Sequence, residues 1–357
     1  MADNSAYPRD GQFLTLDEIH AAALRHLPQE VAVYLESGSG TEQTLRANRD
    51  AFGRWVIRPR PMSGVNDPKT NTEFLGIPLS VPLLTAPFGG DALFAHDGHL
   101  AVARANAACG TASIVPEVGS FSYEEVAAAA PAAARIGQLH PYESFHPVAR
   151  RIKNAGYDAL CVAVDCPVMG WRARNRMNRF HPDPAVWSGN VTQDGEPNVA
   201  ETFGGGVIPA WTWDQLAEAA AGPGLPWIAK GILTAESAVA AVNAGASAIL
   251  VSNHGGRQVD PSPASLDALP EIARAVGGQV PLLLDSGVRT GADVFLALAL
   301  GATAVVIGRL AAYGLAAGGE DGVRQTIEML TAELRVLMIL AGIPDISALT
   351  PDAVARR

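Results

Sequence analysis

One pattern recurs from about residue 80 onward and restricts the fold more than any other: an alanine-rich helical stretch, a glycine, then four to six strand-forming residues. It reads Ala155-Gly156-Tyr157-Asp158-Ala159 ahead of 160–165, Ala244-Gly245-Ala246-Ser247 ahead of 248–253, and Leu300-Gly301-Ala302-Thr303 ahead of 304–308. A looser copy is Cys109-Gly110-Thr111 ahead of 112–115. Glycine tolerates the left-handed conformation that ends a helix, and the strand that follows at once makes helix and strand alternate. Apolar runs suited to strands fall at 82–86, 111–115, 134–139, 160–165, 226–230, 248–253, 281–285 and 304–308. Eight is the number that closes a parallel barrel, and nearly continuous apolar character is expected of strands buried on both faces. The expected class is therefore α/β, a (β/α)8 (TIM) barrel, with an open doubly wound sheet as the alternative.

A length of 357 residues suits one such barrel with an added segment. Residues 1–80 carry helical signals, Thr15-Leu16-Asp17-Glu18 and a second stretch near Thr41, and are expected to form an N-terminal helical cap on a barrel spanning 81–357. The stretch 181–209, between the fourth and fifth strands, is rich in Gly, Pro, Asp and Asn; it reads as a long lid-like loop with partial disorder. With 48% hydrophobic and 17% charged residues the chain can fill a closed core. A formal charge of -10 disfavours nucleic acid and anionic membrane as partners and favours small-molecule chemistry. There is no apolar run of about 18 residues and no signal-peptide pattern, so a cytoplasmic protein is expected. Cys109, Cys161 and Cys166 form no even framework, and neither a disulfide nor a metal is expected.

Polar residues end the apolar runs: Gln138, Asp165, Lys230, His254, Asp285 and Arg309. In such barrels the C-terminal rim carries the site, because the strand-to-helix loops converge there. The segment Ser252-Asn253-His254-Gly255-Gly256-Arg257-Gln258 follows a short apolar strand, which should stop at Asn253. His254 can take a proton near neutral pH, and Arg257 can grip a carboxylate through paired hydrogen bonds. The plain alternative is a polar loop with a solvated arginine.

Several motifs in order make the chain resemble the flavin mononucleotide (FMN)-dependent 2-hydroxy acid oxidase and dehydrogenase family over about residues 34–343. Besides S-N-H-G-G-R-Q these are S-G-S-G-T-E-Q-T-L-R-A-N at 37–48, A-V-D-C-P at 163–167, A-K-G at 229–231, D-S-G-V-R at 285–289 and I-G-R at 307–309. The resemblance implies oxidation of a 2-hydroxy acid to a 2-keto acid with FMN as cofactor and oxygen or another electron acceptor. It implies that His254 is the base with Asp165 behind it, and that Arg172, Arg257 and Tyr34 hold the substrate carboxylate. Arg172 stands among Arg174, Arg176 and Arg179, so a solvated basic run is its alternative. Lys230 is implied to lie beside flavin N1 and O2. Ala86, Pro87 and Phe88 by their backbone, with Gln138 and Ser252 by their side chains, are implied to meet the ring. Asp285, Ser286, Gly287, Arg289, Gly308 and Arg309 are implied to bind the cofactor toward its phosphate, with Ser286 replacing the family's usual first glycine. Homotetramers are common in the family.

Three positions depart from the pattern. His140 stands where the family commonly has a substrate-facing tyrosine, Glu117 enters a loop that is usually serine-rich, and Val118 replaces a bulky aromatic. The extra room predicts bulky or aromatic substrates. Two other readings remain at this level: a biosynthetic tailoring flavoenzyme acting on a modified or amino-acid substrate, and a flavin-binding protein without turnover.

Overall fold

The computed structural model describes residues 12–190 and 209–357. Eight parallel strands, Leu83–Thr85, Ala112–Val115, Ala134–Leu139, Ala159–Ala163, Trp227–Ile232, Ala248–Val251, Leu282–Leu284 and Ala304–Ile307, pair in chain order. The eighth pairs with the first, Val305 against Leu83, which closes the barrel and excludes the open sheet. Alternate strand residues fill two cores. Leu84, Ile114, Ile136, Ile228, Leu250, Leu283 and Val306 pack inside the barrel, continuous with Phe74, Ile77 and Leu79 of an antiparallel hairpin (Thr72–Phe74, Ile77–Leu79). Residues of the opposite parity, such as Leu160, Val162, Ile249 and Leu284, pack outward into the helical layer. An apolar side chain in either shell stabilises the fold by about 1.5–3 kcal/mol when fully buried.

Strand positions agree with the sequence expectation, but most strands stop short of their polar ends. The sixth ends at Val251 rather than Asn253, because Ser252 turns inward and its Oγ accepts the N–H of His254 at 3.0 Å. The glycines of the pattern do end helices with positive φ: Gly110 is itself the C-cap, and Gly156, Gly245 and Gly301 each follow the C-cap residue directly. The last long helical stretch, Arg309–Ala341, is two helices broken at Gly318-Gly319, where φ and ψ leave the helical region.

Three helices precede the barrel: Leu16–His26, Gln29–Glu36 and Gln43–Phe52. Thr15 caps the first, its side chain accepting from Glu18 N at 3.1 Å. The third is capped from outside its own segment: the Asp260 carboxylate accepts from Thr41 N at 2.9 Å and Thr44 N at 2.7 Å. A cap supplied over two hundred residues away has no local signature. A strand at Trp55–Ile57 pairs antiparallel with Val354–Arg356. Most of the stretch read as a partly disordered lid, 191–208, lies outside the described residues. Its first part holds a short 3-10 helix, Pro184–Trp187. No helix among the described residues is long and apolar enough to cross a membrane.

Candidate active site

The segment after the sixth strand is fixed before any ligand is considered. His254 has φ +58°, a left-handed conformation that costs a non-glycine residue roughly 1–3 kcal/mol and persists only when its neighbours enforce it. Asn253 enforces it from one side, exchanging 2.7 and 2.9 Å amide bonds with Asn48 of the third helix and accepting from Gly256 N at 3.0 Å. Gln258 enforces it from the other, donating to the carbonyls of Asp165 and Val168 at 2.7 and 2.9 Å and accepting from Gly170 N at 3.0 Å. The seven-residue motif thus ties the sixth-strand loop to both the N-terminal helices and the loop carrying Arg172.

His254 Nδ1 lies 3.1 Å from Asp165 Oδ2, 3.2 Å from Lys230 Nζ and 3.4 Å from Cys166 Sγ. A carboxylate oxygen can only accept, so we place the ring proton on Nδ1 toward Asp165, leaving Nε2 as the basic nitrogen. Burial and then the Lys230 charge push the His254 imidazole below its ordinary proton affinity, against the pull of Asp165. Burial raises the Asp165 carboxyl, but His254 and Lys230 together outweigh it and hold it well below the usual range. Lys230 is likewise held charged: burial opposes, and Asp165 and Asp285 prevail. His254 keeps 27% of its side chain open, enough for a ligand to reach it. Asp165, Cys166 and His254 bring three ligand-type atoms within 4.8 Å, but the ammonium of Lys230 lies against them and opposes a cation there. The three cysteines are free thiols.

Two adjoining cavities open from this couple. One is lined by Ala86, Pro87, Phe88, Lys230, Asp285, Ser286, Gly287, Arg289, Gly308 and Arg309. The other is lined by Gln138, His140, Val118, Phe180 and Trp187, and Tyr34, Arg172, Lys230 and His254 border both. Arg257 lines the first. Asp165 stands behind His254, and Ser252 is fully buried with its Oγ 3.5 Å from Lys230 Nζ. All the residues singled out from sequence therefore meet at the C-terminal rim.

Their engagements are more specific than sequence suggested. Arg257 spends Nη1 on the carbonyls of Tyr34 and Ser37, at 2.8 and 2.7 Å, and lies 4.8 Å from the Tyr34 ring centroid. Arg172 donates weakly to Arg257 O at 3.4 Å, and neither arginine has a carboxylate partner among the described residues. Burial, then Arg172, lowers the proton affinity of Arg257. Two like charges side by side, Arg172 buried and Arg257 partly buried, call for an anion. Arg309 donates to the carbonyls of Leu35, Gly255 and Ser37 at 2.9, 3.0 and 3.0 Å, so it also docks the second helix, a role with no sequence signal. Sequence reading also missed Phe180 and Trp187, which pack on Tyr34 with centroids 4.8 and 5.7 Å away; Trp187 was hidden in the stretch read as lid, and Phe180 stands just before it.

The first cavity fits FMN. Its far end offers backbone N–H groups where Gly287 holds φ +93° and a Cβ would sit 2.4 Å from Asn48 O, so only glycine lets the chain pass. Arg289 and Arg309 supply the positive charge a phosphate needs, and Ala86, Pro87, Val306 and Ile307 line a slot for a flat ring. What these walls accommodate is a phosphorylated ring with a small acid against it, the arrangement of flavin-dependent barrel oxidoreductases. The chain belongs to the FMN-dependent dehydrogenase family, whose model matches residues 23–356. It is 41% identical to an L-lactate oxidase of Nostoc sp., covering 92% of this chain and 94% of that protein. It is 38% identical to a peroxisomal (S)-2-hydroxyacid oxidase of Arabidopsis thaliana, covering 96% of each. A mandelate oxidase structure with benzoyl-formic acid superposes with TM-score 0.88 at 36% identity, over 97% of this chain and 99% of that one. FMN dependence and 2-hydroxy acid oxidation, expected from the motifs, are thus properties of the family to which this chain belongs.

Proposed function

We propose that the chain oxidises a 2-hydroxy acid to its 2-keto acid with His254 as base and the Arg172–Arg257 pair as carboxylate clamp. The observation that carries this is two neighbouring guanidinium groups, with no carboxylate partner among the described residues, bordering the same space as a carboxylate-backed imidazole. Bound FMN supplies the two-electron acceptor. His254 Nε2 takes the hydroxyl proton, and Asp165 holds the ring and stabilises the imidazolium that results. Arg172, Arg257 and Tyr34 orient the acid, and Lys230 would supply a fixed positive charge to the bound ring. Asp285, Ser286, Gly287, Arg289, Gly308 and Arg309 would hold the phosphate end of FMN, and Ala86, Pro87, Phe88, Gln138 and Ser252 would border its ring.

The aromatic walls Tyr34, Phe180 and Trp187, with small Val118 beside them, support a bulky or aromatic side chain. Anaerobic mixing of the yellow holoenzyme with glycolate, lactate and mandelate tests both points. Bleaching fastest with mandelate is expected, and admission of air then reports whether oxygen accepts the electrons. Fastest bleaching with glycolate would reject the bulky-substrate reading; no bleaching by any acid would favour the flavin-binding protein without turnover. The buried Glu117 beside His140 favours a second reading, a tailoring enzyme for a modified or amino-acid substrate, which an amino-acid arm of the same panel addresses. A cytoplasmic location and a homotetramer belong to the same proposal, checked by cell fractionation and light scattering.

Arg172→Lys should raise KM about 10- to 100-fold and lower kcat, since an ammonium cannot reproduce the guanidinium fork and each charge-assisted bond contributes roughly 1.5–3 kcal/mol. Unchanged steady-state kinetics would remove Arg172 from the clamp.

A further inference from the structure

The wall of the substrate-side cavity that carries Trp187 is fastened from outside the cavity. Trp187 ends the short 3-10 helix Pro184–Trp187, which is closed at both ends by its own side chains: Asp183 Oδ1 accepts from Ala185 N and Ser188 Oγ donates to Pro184 O, each at 2.9 Å. On one side of the indole, Ser120 Oγ donates to Val186 O at 2.7 Å and accepts from Ala92 N at 3.0 Å. On the other, Gly189 N donates to Gly119 O at 3.0 Å. Asn190 then reaches the loop after the second strand with its whole amide, Oδ1 accepting from Tyr123 N at 2.9 Å and Nδ2 donating to Glu117 O at 3.0 Å. An N–H on one side and a carbonyl on the other fix which end of the amide is which. The Asn190 carbonyl also accepts from Arg151 Nη1 at 2.9 Å. Neither Ser120 nor Asn190 lines the cavity; Trp187 does, with Tyr34, Val118 and Phe180.

The indole has a seat as well as anchors. Gly90 holds φ +64°, and a Cβ there would collide with the six-membered ring of Trp187, so the ring rests directly on the backbone of the loop after the first strand. Gly90 N donates to Val118 O at 3.1 Å, which ties that seat to the small residue lining the same cavity. Asp91, fully buried, accepts from Ser120 N and from His99 N, both at 2.7 Å, and so holds seat and latch together. A large ring fixed before a ligand arrives has no ordering cost left to pay on binding, so affinity for a side chain that packs on it depends on residues that never touch the ligand. We propose that Asn190 and Ser120 are positioning residues that hold Trp187 as a preformed face for the side chain of aryl 2-hydroxy acids. Selectivity is then set by a fixed wall rather than by closure of a lid. The proposal deepens the 2-hydroxy acid reading of the site and rests on it.

The test uses FMN-loaded enzyme and two readouts. Dissociation constants of benzoylformate and pyruvate are measured by perturbation of the flavin absorbance, without turnover. The kcat/KM values of mandelate and lactate are measured in parallel. Benzoylformate is expected to bind at least about 10-fold tighter than pyruvate in the native enzyme, through ring burial and aromatic contact. Trp187→Ala should bring that ratio below about 3-fold, and Trp187→Phe, which keeps a ring, should retain most of it. Asn190→Ala should lower the ratio at least about 3-fold through benzoylformate alone, with pyruvate binding within about 2-fold of native. A merely structural Asn190 would lower the melting temperature and leave the ratio intact. FMN content and thermal melting report folding, and if Asn190→Ala does not fold, Ser120→Ala, which releases the Val186 carbonyl, must lower the ratio instead. A ratio that survives Trp187→Ala or loss of the anchoring side chain overturns the proposal, as does a native enzyme that does not prefer benzoylformate. Selective binding of the keto acids without oxidation of any hydroxy acid would overturn the oxidation reading alone.

Discussion

His254→Gln lowers kcat by about 10²–10⁴-fold, the usual contribution of a positioned general base, while FMN content and the visible flavin spectrum stay near those of the native protein. The amide fills much of the imidazole's space but accepts no proton, so the loss falls on the chemical step rather than on folding. The pH profile carries the sharper signature. The base works in its neutral form, and burial with Lys230 holds His254 below the ordinary imidazole value of about 6.5. Activity should therefore be flat through pH 7 and fall only as the pH drops through that depressed value. Steady-state kcat/KM from pH 5 to 9 checks this, and His254→Gln should abolish the acid limb along with the rate. A variant that kept the native limb would assign the ionisation, and the proton, to another group.

Much of this architecture was legible because its causes are local. A strand buried on both faces must be apolar, a helix that stops abruptly favours glycine, and both leave marks at fixed spacing, so eight runs suggested the barrel that Val305 and Leu83 close. The rim was legible for a related reason: polar residues at the ends of apolar strands must face somewhere wet or occupied. What sequence could not show depends on residues far apart in the chain. Asp260 capping the third helix, Arg309 docking the second, and the Asn48–Asn253 exchange each join segments more than two hundred residues apart. The Glu117–His140 contact spans only twenty-three residues, yet two departures from a pattern do not by themselves announce that they touch. Boundaries failed on a finer scale: Ser252 looks like strand from its neighbours, but its hydroxyl is needed to hold His254, so the strand ends at Val251.

Lys230→Met should shift the same acid limb in the opposite sense. Lys230 is 4% exposed and faces Asp165 and Asp285, and it is held charged because those carboxylates outweigh the cost of burial. Removing it leaves buried negative charge uncompensated, which commonly costs about 3–5 kcal/mol. His254 is the adjacent group able to respond. With the ammonium 3.2 Å from Nδ1 gone, the attraction of Asp165 is no longer opposed, and the proton affinity of the imidazole rises. The imidazolium then neutralises Asp165 but is no longer a base, so kcat/KM at pH 7 falls and recovers in part as the pH is raised. The linkage has a definite sign. A histidine whose folded proton affinity exceeds its unfolded one stabilises most below the unfolded value and loses that contribution as pH rises through the folded value. The variant should therefore melt at a lower temperature than the native protein, by a margin that widens between pH 6 and 9, while its activity improves over the same range. Thermal melts and kcat/KM on one set of buffers would show the two trends crossing. An acid limb that stayed in place would mean that Lys230 does not set the state of His254, and that burial alone keeps the base neutral.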